Sequence, residues 1–247
     1  MNYIIFDLEF NQDYSSLCPT GNKTTHCPFE IIQIGAVKFD SDYHTVATFN
    51  NYIKPSIYSH VNPLVTELTG ITTDQLLTER PFPDVFHDFA RFLGEGEIIF
   101  CVWGLTDMKV LFKNVEYHNL NSHSLPVMYI NIQPYVSTFL NYPRNQLFNL
   151  ENAVEALGIL KPFDFHNALY DAFYTAEILK KLRHLKLQSS RYDPNYVKPS
   201  IRKPKRLVDY EMLLKQFEKM YARELNKEEQ DMIILAYKMG KTNQFIK

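Results

Sequence analysis

The first apolar stretch of the chain alternates hydrophobic and acidic side chains in the manner of a β-strand. Residues 3–10 contain no glycine or proline and are rich in aromatic and β-branched residues, a composition that favours extended structure. Side chains alternate across a strand, so Asp7 and Glu9 are expected to point together from one face. The opposite face would carry four hydrophobic residues, Ile4, Phe6, Leu8 and Phe10.

The pattern that follows predicts a layered α/β fold. Strands are predicted at 30–39 and 46–53, and their short connections indicate an antiparallel meander. Later strands are predicted at 97–102 and 127–130, and helices at 62–68, 74–77, 83–93, 105–118, 134–140, 150–157 and 167–187. This order favours a mixed five-stranded sheet flanked by helices, with a C-terminal helical extension.

The composition changes near residue 187 and predicts three segments. Residues 1–187 would form one domain. Residues 188–206 contain prolines, serines and basic residues, which is typical of a linker. Residues 207–247 would form the helical extension, with helices at 207–222 and 227–239.

Charge is distributed unevenly along the chain, although the net charge is only −2. Residues 1–179 hold nine basic and 20 acidic residues, a net charge of −11, whereas residues 180–247 hold 17 basic and eight acidic residues, a net charge of +9. An acidic body that holds metal ions and a basic surface that attracts phosphates would give this pattern. A solvated helical tail would give it as well.

Several classes of protein are disfavoured. The sequence has no apolar run long enough for a bilayer and shows no secretion signal, and its three cysteines suit a reducing compartment. We therefore expect a cytoplasmic protein without a membrane partner. Phosphate-binding, dinucleotide-binding and serine-hydrolase loop motifs are absent, and the spacing of Cys18, His26 and Cys27 is not that of a structural zinc site.

The two carboxylates of the first strand are the first candidate for chemistry. Asp7 and Glu9 would repel each other and lose hydration in an apolar setting. Hard divalent cations with oxygen ligands would compensate that charge. The competing interpretation is an edge strand with a solvated acidic face.

Asp107 is the second candidate. In the predicted helix it shares a stripe with Val110, Leu111 and Asn114, where a carboxylate requires an ion pair or a metal. A first-turn aspartate that favours the helix dipole is the alternative.

His166 and Asp171 are the third candidate, at the start of a predicted helix. Five helical residues turn a side chain by about 140°, so the two can face one pocket if His166 lies in the loop before the helix. Small Ala168 and Ala172 would let that helix approach the sheet. Histidine is a suitable general base near neutral pH, although a surface histidine followed by an exposed aspartate is the simpler alternative.

Taken together, these five residues resemble the motifs of the DEDDh family of 3′–5′ exonucleases. Its Asp-x-Glu motif on the first strand is matched by Asp7 and Glu9, its helical aspartate by Asp107, and its final His-x₄-Asp motif by His166 and Asp171. The stretches 30–37 and 67–72 also resemble the family, and the resemblance covers about residues 1–187. The Trp-Gly-x-x-Asp form of the second motif is most similar to the branch that contains histone-mRNA and small-RNA trimming exonucleases and a bacterial sporulation-kinase inhibitor.

The resemblance implies a ribonuclease H-like fold and hydrolysis with two divalent ions, Mg²⁺ or Mn²⁺. Asp7 would bind both ions, Glu9 and Asp171 would complete one site, and Asp107 would hold the second. His166 would take the proton from the attacking water. The substrate would be the 3′ end of single-stranded RNA or DNA, and nucleoside 5′-monophosphates would be released.

The resemblance also implies contacts to the terminal nucleotide from Leu8, Thr69, Gly70 and Ile71. For Phe10 and Phe165, packing in the core is favoured over stacking on bases. The chain departs from the family in its polar loop at 11–28 and in its C-terminal extension, both of which would affect substrate access. Two alternatives stay open: an exonuclease fold used as a regulatory binding protein, and a phosphodiesterase specific for oligonucleotides. No protein partner is predicted from the sequence.

Overall fold

The structure is a computed structural model that describes residues 1–12, 29–143, 145–196 and 209–241. It divides into two compact units, Met1–Tyr196 and Val197–Lys247, and each is described by itself. The polar loop and the candidate zinc ligands of the sequence analysis, Cys18, His26 and Cys27, lie outside the described residues. The predicted linker at 188–206 is only partly described, so the predicted domain limits stay predictions.

The first unit contains an open mixed sheet with the strand order β3-β2-β1-β4-β5-β6. β1 and β2 pair antiparallel, as do β2 and β3, whereas β1 is parallel to β4 and β4 to β5. The strands are β1 Asn2–Asn11, β2 Glu30–Phe39, β3 Thr45–Tyr52, β4 Ile98–Val102, β5 Met128–Asn131 and β6 Ser190–Arg191. The predicted meander and fold class are confirmed.

The strand count differs from the prediction by one. β6 adds a sixth strand of two residues, in which Ser190 pairs with Tyr129 and Arg191 with Met128. Two residues are too few to show a period along the sequence, so no pattern predicted this strand.

Seven helices of the first unit fall close to their predicted positions. They are α1 Pro63–Thr69, α2 Thr73–Leu76, α3 Phe82–Leu93, α4 Thr106–Tyr117, α5 Gln133–Phe139, α6 Leu150–Ala156 and α7 Ala168–Leu182. α7 ends at Leu182, earlier than the predicted residue 187. None of the described helices is both long and apolar enough to cross a lipid bilayer.

β1 is covered on both faces, and this decides where its acidic residues point. Ile4 and Phe6 pack in one hydrophobic cluster with residues of α3 and α4. Tyr3 and Ile5 pack in a second cluster with residues of α7. Because side chains alternate, the acidic pair of β1 continues the row of Tyr3 and Ile5, on the face that α7 covers.

The second unit contains two helices, α8 Tyr210–Tyr221 and α9 Lys227–Lys241. Asp209 caps α8 by accepting a hydrogen bond from the backbone N–H of Met212 at 2.8 Å. Arg223 donates two hydrogen bonds to the carboxylate of Glu229, at 2.9 and 2.6 Å. The predicted pair of C-terminal helices is thus present.

Candidate active site

The predicted acidic residues meet at one edge of the sheet. Asp7 and Glu9 lie in the second half of β1, and the parallel strand β4 ends at the same edge. Asp107 lies in the first turn of α4, and Asp171 in the first turn of α7. Ligands of open α/β sheets commonly bind just beyond the carboxyl ends of the strands, so this position is suited to a site.

Three of the carboxylates are close enough to share one cation. Oxygen atoms of Asp7, Glu9 and Asp171 all lie within 4.8 Å of one another. Asp107 is only 7% exposed and Asp171 only 8%. The register with β2 shifts directly after Glu9, since Glu9 pairs with Gln33 and Phe10 with Ile31, and irregularities of this kind are common beside active sites.

Burial raises the pKa values of all four carboxylates, and repulsion between carboxylates adds to this for Asp7, Glu9 and Asp107. Burial, together with the charges of Asp171 and Asp107, raises the pKa of Glu9 to about 8. Burial also raises the pKa of Asp107 to about 7 and that of Asp171 to about 6. The pKa of Asp7 lies well above its usual range, first through burial and then through the charge of Asp107.

The donor set fits a divalent cation. One oxygen of Asp171, Oδ1, is buried and accepts no hydrogen bond from the described residues. Its other oxygen, Oδ2, accepts a hydrogen bond from the backbone N–H of His166 at 3.1 Å. A buried oxygen without a donor, within reach of two further carboxylates, is suited to coordinating a hard cation.

His166 lies immediately before α7, as predicted. Its backbone is in the left-handed region, with φ of 64°, and its side chain is exposed. The next residue, Asn167, caps the helix by accepting a hydrogen bond from the N–H of Leu169 at 3.1 Å. This loop therefore holds the histidine at the helix end that also carries Asp171.

A buried glutamine connects the sheet to the start of α7. Gln33 on β2 accepts a hydrogen bond from the N–H of Ala168 at 3.2 Å and donates to Oδ1 of Asn167 at 3.3 Å. It also donates to Oδ1 of Asn50 at 2.9 Å. No role was predicted for Gln33, although a glutamine within the apolar run 31–37 is a sequence signal of a buried polar contact.

Gly35 on β2 explains how closely α7 approaches the sheet. A Cβ atom at this position would lie 2.1 Å from the carbonyl carbon of Ala168. Ala168 and Ala172, the small residues predicted to allow this close approach, are both fully buried. The sheet side of the contact requires a glycine as well.

The predicted substrate residues do not all share one surface. Thr69, Gly70 and Ile71 line a cavity of about 270 Å³ together with Tyr52, Gln75 and Glu79. Leu8 does not line it, because its side chain is 3% exposed and packs in the core.

The two aromatic residues expected to pack in the core are partly buried and pack against its two clusters. Phe10 contacts Phe29 with ring centroids 5.1 Å apart, and Phe165 stacks on Tyr174 at 4.7 Å.

A family model of exonuclease domains, RNase_T, matches residues 4–179. The chain belongs to this exonuclease family. The exonuclease family expected from the sequence is thereby confirmed. The matched range spans all five predicted catalytic residues, and their roles stay predictions.

The relatives of this exonuclease-family chain include a DNA polymerase and an exoribonuclease. It is 32% identical over 153 residues to a PolC-type DNA polymerase III of Thermotoga petrophila, an alignment that covers 60% of this chain and 10% of the polymerase. It is 27% identical over 178 residues to 3′-5′ exoribonuclease 1 of Rattus norvegicus, covering 69% of this chain and 51% of the relative. The chain thus spans about a tenth of the length of the polymerase and about half of the length of the exoribonuclease.

The fold of this family member also matches a solved structure. The nuclease domain of 3′hExo, a DEDDh family member bound to rAMP, has a TM-score of 0.64 at 24% identity, with coverage of 78% of this chain and 97% of that domain. The likeness confirms the ribonuclease H-like exonuclease fold.

Proposed function

We propose that the chain is a metal-dependent 3′–5′ exonuclease. It hydrolyses phosphodiester bonds at the 3′ end of single-stranded RNA or DNA and releases nucleoside 5′-monophosphates. The observation that carries the proposal is the convergence of Asp7, Glu9 and Asp171 within 4.8 Å. Membership of the exonuclease family supports the reaction, and the relative bound to rAMP supports a monophosphate as the product.

The metal ligands would be Asp7, Glu9, Asp107 and Asp171, which would hold two Mg²⁺ or Mn²⁺ ions. Such ions, when bound, stabilise the negative charge on the attacking and leaving oxygens. The unpartnered Oδ1 of Asp171 supports this assignment. So do the raised pKa values of the cluster, since a cation would relieve the repulsion between the carboxylates.

His166 is proposed as the general base. Its exposed imidazole can reach solvent, and it would take the proton from the water that attacks the phosphorus. The hydrogen bond from its backbone to Asp171 ties the position of the base to that of a metal ligand.

The cavity beside Thr69, Gly70 and Ile71 is proposed to take the terminal nucleotide. Leu8 would contribute only backbone groups, because its side chain is occupied in the core. The relatives include an exoribonuclease and a DNA polymerase, so the choice between RNA and DNA is left to matched substrates. We also propose a cytoplasmic location, which the buried free thiol of Cys101 supports.

The test is the variant Asp7→Ala. A second variant, Asp7→Asn, removes the negative charge but keeps a side chain of nearly the same shape. Both are expected to lose hydrolysis of a 5′-labelled single strand and to keep the circular dichroism spectrum of the fold. Wild-type chain with EDTA should match them, and Mg²⁺ or Mn²⁺ should restore only the wild type. Full activity of Asp7→Ala would refute the proposal.

Matched substrates separate the remaining alternatives. RNA and DNA of one sequence are compared in the same assay, and a dinucleotide is compared with a longer strand. Binding of the strand without any metal-dependent hydrolysis would indicate a regulatory binding protein. Hydrolysis of the dinucleotide alone would indicate an oligonucleotide phosphodiesterase.

A further inference from the structure

A second concave surface lies on the first unit, between the β2–β3 turn and the last turn of α7. It is open to solvent, has a volume of about 870 Å³ and is lined by three cations, two histidines and two carboxylates. Lys180, Lys181 and Arg183 line it from the helix end, with His184 beside them and His44 on the turn. We call this surface the helix-end patch.

The positive charge of the patch is only partly neutralised. Of its two acidic residues, Glu177 forms an ion pair with Lys180 at 2.7 Å, and Asp42 lies exposed on the turn. His44 lies 3.4 Å from Asp40 on the same turn, so it adds no free positive charge to the patch. Within the described part of the chain, the side chains of Lys181 and Arg183 form no ion pair, and both are exposed. Two cations are therefore available to an anionic ligand.

A purely structural explanation accounts for part of this pattern. Basic residues in the last turn of a helix interact favourably with its dipole. That explanation requires no cavity and no histidine on a neighbouring turn.

The sequence alone assigned the basic character of the chain to its C-terminal tail. The structure places the first three cations of that segment on the body, in α7 and directly after it. α7 also carries Asp171 in its first turn. Ten residues separate Asp171 from Lys181, about 15 Å along the helix axis.

We propose that the helix-end patch binds phosphates of the nucleic-acid strand upstream of the 3′ end. The proposal rests on the proposed function. Phosphates of one strand repeat about every 3.4 Å along the axis of a duplex and lie farther apart along an extended single strand, so about 15 Å spans at most roughly four nucleotides. The patch would thus contact only strands that extend past the active site, and it would increase the affinity for long strands over short ones.

The experiment measures binding to the full chain in EDTA, where hydrolysis does not occur. Fluorescence anisotropy is recorded with a 5′-labelled dinucleotide, which is too short to span about 15 Å, and with a 5′-labelled single strand of about 16 nucleotides, the upper end of single-strand site sizes. The variant is Lys181→Glu/Arg183→Glu, with Lys181→Gln/Arg183→Gln as a milder form. The matched control is Lys113→Glu, because Lys113 lies on α4, which packs on the other face of the sheet.

We expect the charge-reversal variant to bind the long strand about tenfold or more weakly, and the short strand with a much smaller change. The slope of log affinity against log salt should fall by about 0.7 for each phosphate that the variant no longer neutralises, and by about 1.4 for two. The glutamine variant should show the same change in slope with a smaller decrease in affinity. Lys113→Glu should leave the ratio between long and short strands unchanged.

Three outcomes would overturn the patch proposal. The first is an unchanged salt slope in both double variants, and the second is an equal decrease in affinity for long and short strands. The third is that free AMP or inorganic phosphate binds at the patch as tightly as the long strand does. Circular dichroism confirms that each variant keeps its helices. Because the assay needs no turnover, a chain that binds through the patch but never hydrolyses the strand would refute only the exonuclease proposal.

Discussion

The clustered carboxylates make the stability of the metal-free protein depend on pH. Glu9 has an ordinary pKa of 4.5 and a pKa of about 8 in the fold, and the pKa of Asp107 rises from 3.8 to about 7. Between these values the folded state binds more protons than the unfolded state, so the free energy of unfolding falls as pH rises.

We therefore expect the Tm in EDTA to be lower at pH 8 than at pH 5. Mg²⁺ should raise the Tm most at pH 8, where the carboxylates are ionised and repel one another most strongly. Glu9→Gln removes one titrating group and should flatten the profile. A Tm in EDTA that rises across this pH range would contradict the electrostatic description of the site.

His166 offers a test of the base that leaves the backbone unstrained. His166→Asn removes the imidazole, and asparagine tolerates the left-handed conformation, with φ of 64°, better than alanine does. We expect hydrolysis to slow by about 10²–10⁴-fold, the usual contribution of a general base.

The stabilisation of His166→Asn by Mg²⁺ in a thermal melt should persist, because all four proposed metal ligands remain. Loss of that stabilisation would show that the histidine position holds the metal site together. Unchanged turnover would show that His166 is not the base.

At the scale of single residues, the sequence predicted the positions of the acidic residues better than the residues that surround the site. Asp7 and Glu9 follow from alternation along one strand, which is a local pattern. Gln33 could not be placed in the same way, because its contact with Ala168 joins residues 135 positions apart. The cavity residue Tyr52 was missed for the same reason, since only the folded chain brings β3 beside the loop at 69–71.

At the scale of elements, the contact between β2 and α7 positions the site. Gly35→Ala would place a Cβ atom 2.1 Å from the backbone of Ala168, and backbone atoms cannot move aside by rotation of a side chain. Overpacking commonly costs about 1–3 kcal/mol, and we expect the upper part of that range, together with a loss of activity as the helix carrying Asp171 shifts.

Denaturant unfolding and single-strand hydrolysis measure the two effects of Gly35→Ala. Thr48→Ala, at an exposed position of the adjacent strand β3, serves as the control and should change neither strongly. A Gly35→Ala chain with unchanged stability and activity would show that α7 is not seated against the sheet in this way.

Helix and strand positions were predicted well where caps and periodicity are strong. Gly70 ends α1 with φ of 73°, and Asn62 caps its start. The end of α7 was predicted too late, because the apolar spacing continues through Leu185 and Leu187, which pack in the second hydrophobic cluster beyond the helix.

At the scale of the whole molecule, the first unit contains all five predicted catalytic residues. We expect a fragment of residues 1–196 to fold and to hydrolyse short strands at the rate of the full chain. Circular dichroism and the labelled-strand assay check this. Failure of the fragment to hydrolyse short strands, while it remains folded, would show that the second unit supplies part of the active site.

The two-residue strand β6 has a consequence for where such a fragment is cut. A cut at residue 187, the limit suggested by composition, would remove β6 together with the backbone hydrogen bond from Tyr192 to Val127 at 2.7 Å. The unpaired backbone groups of β5 would then be open to strands of other molecules. In size-exclusion chromatography, the fragment of residues 1–187 should therefore self-associate. The fragment of residues 1–196 keeps the edge strand β6 and should not.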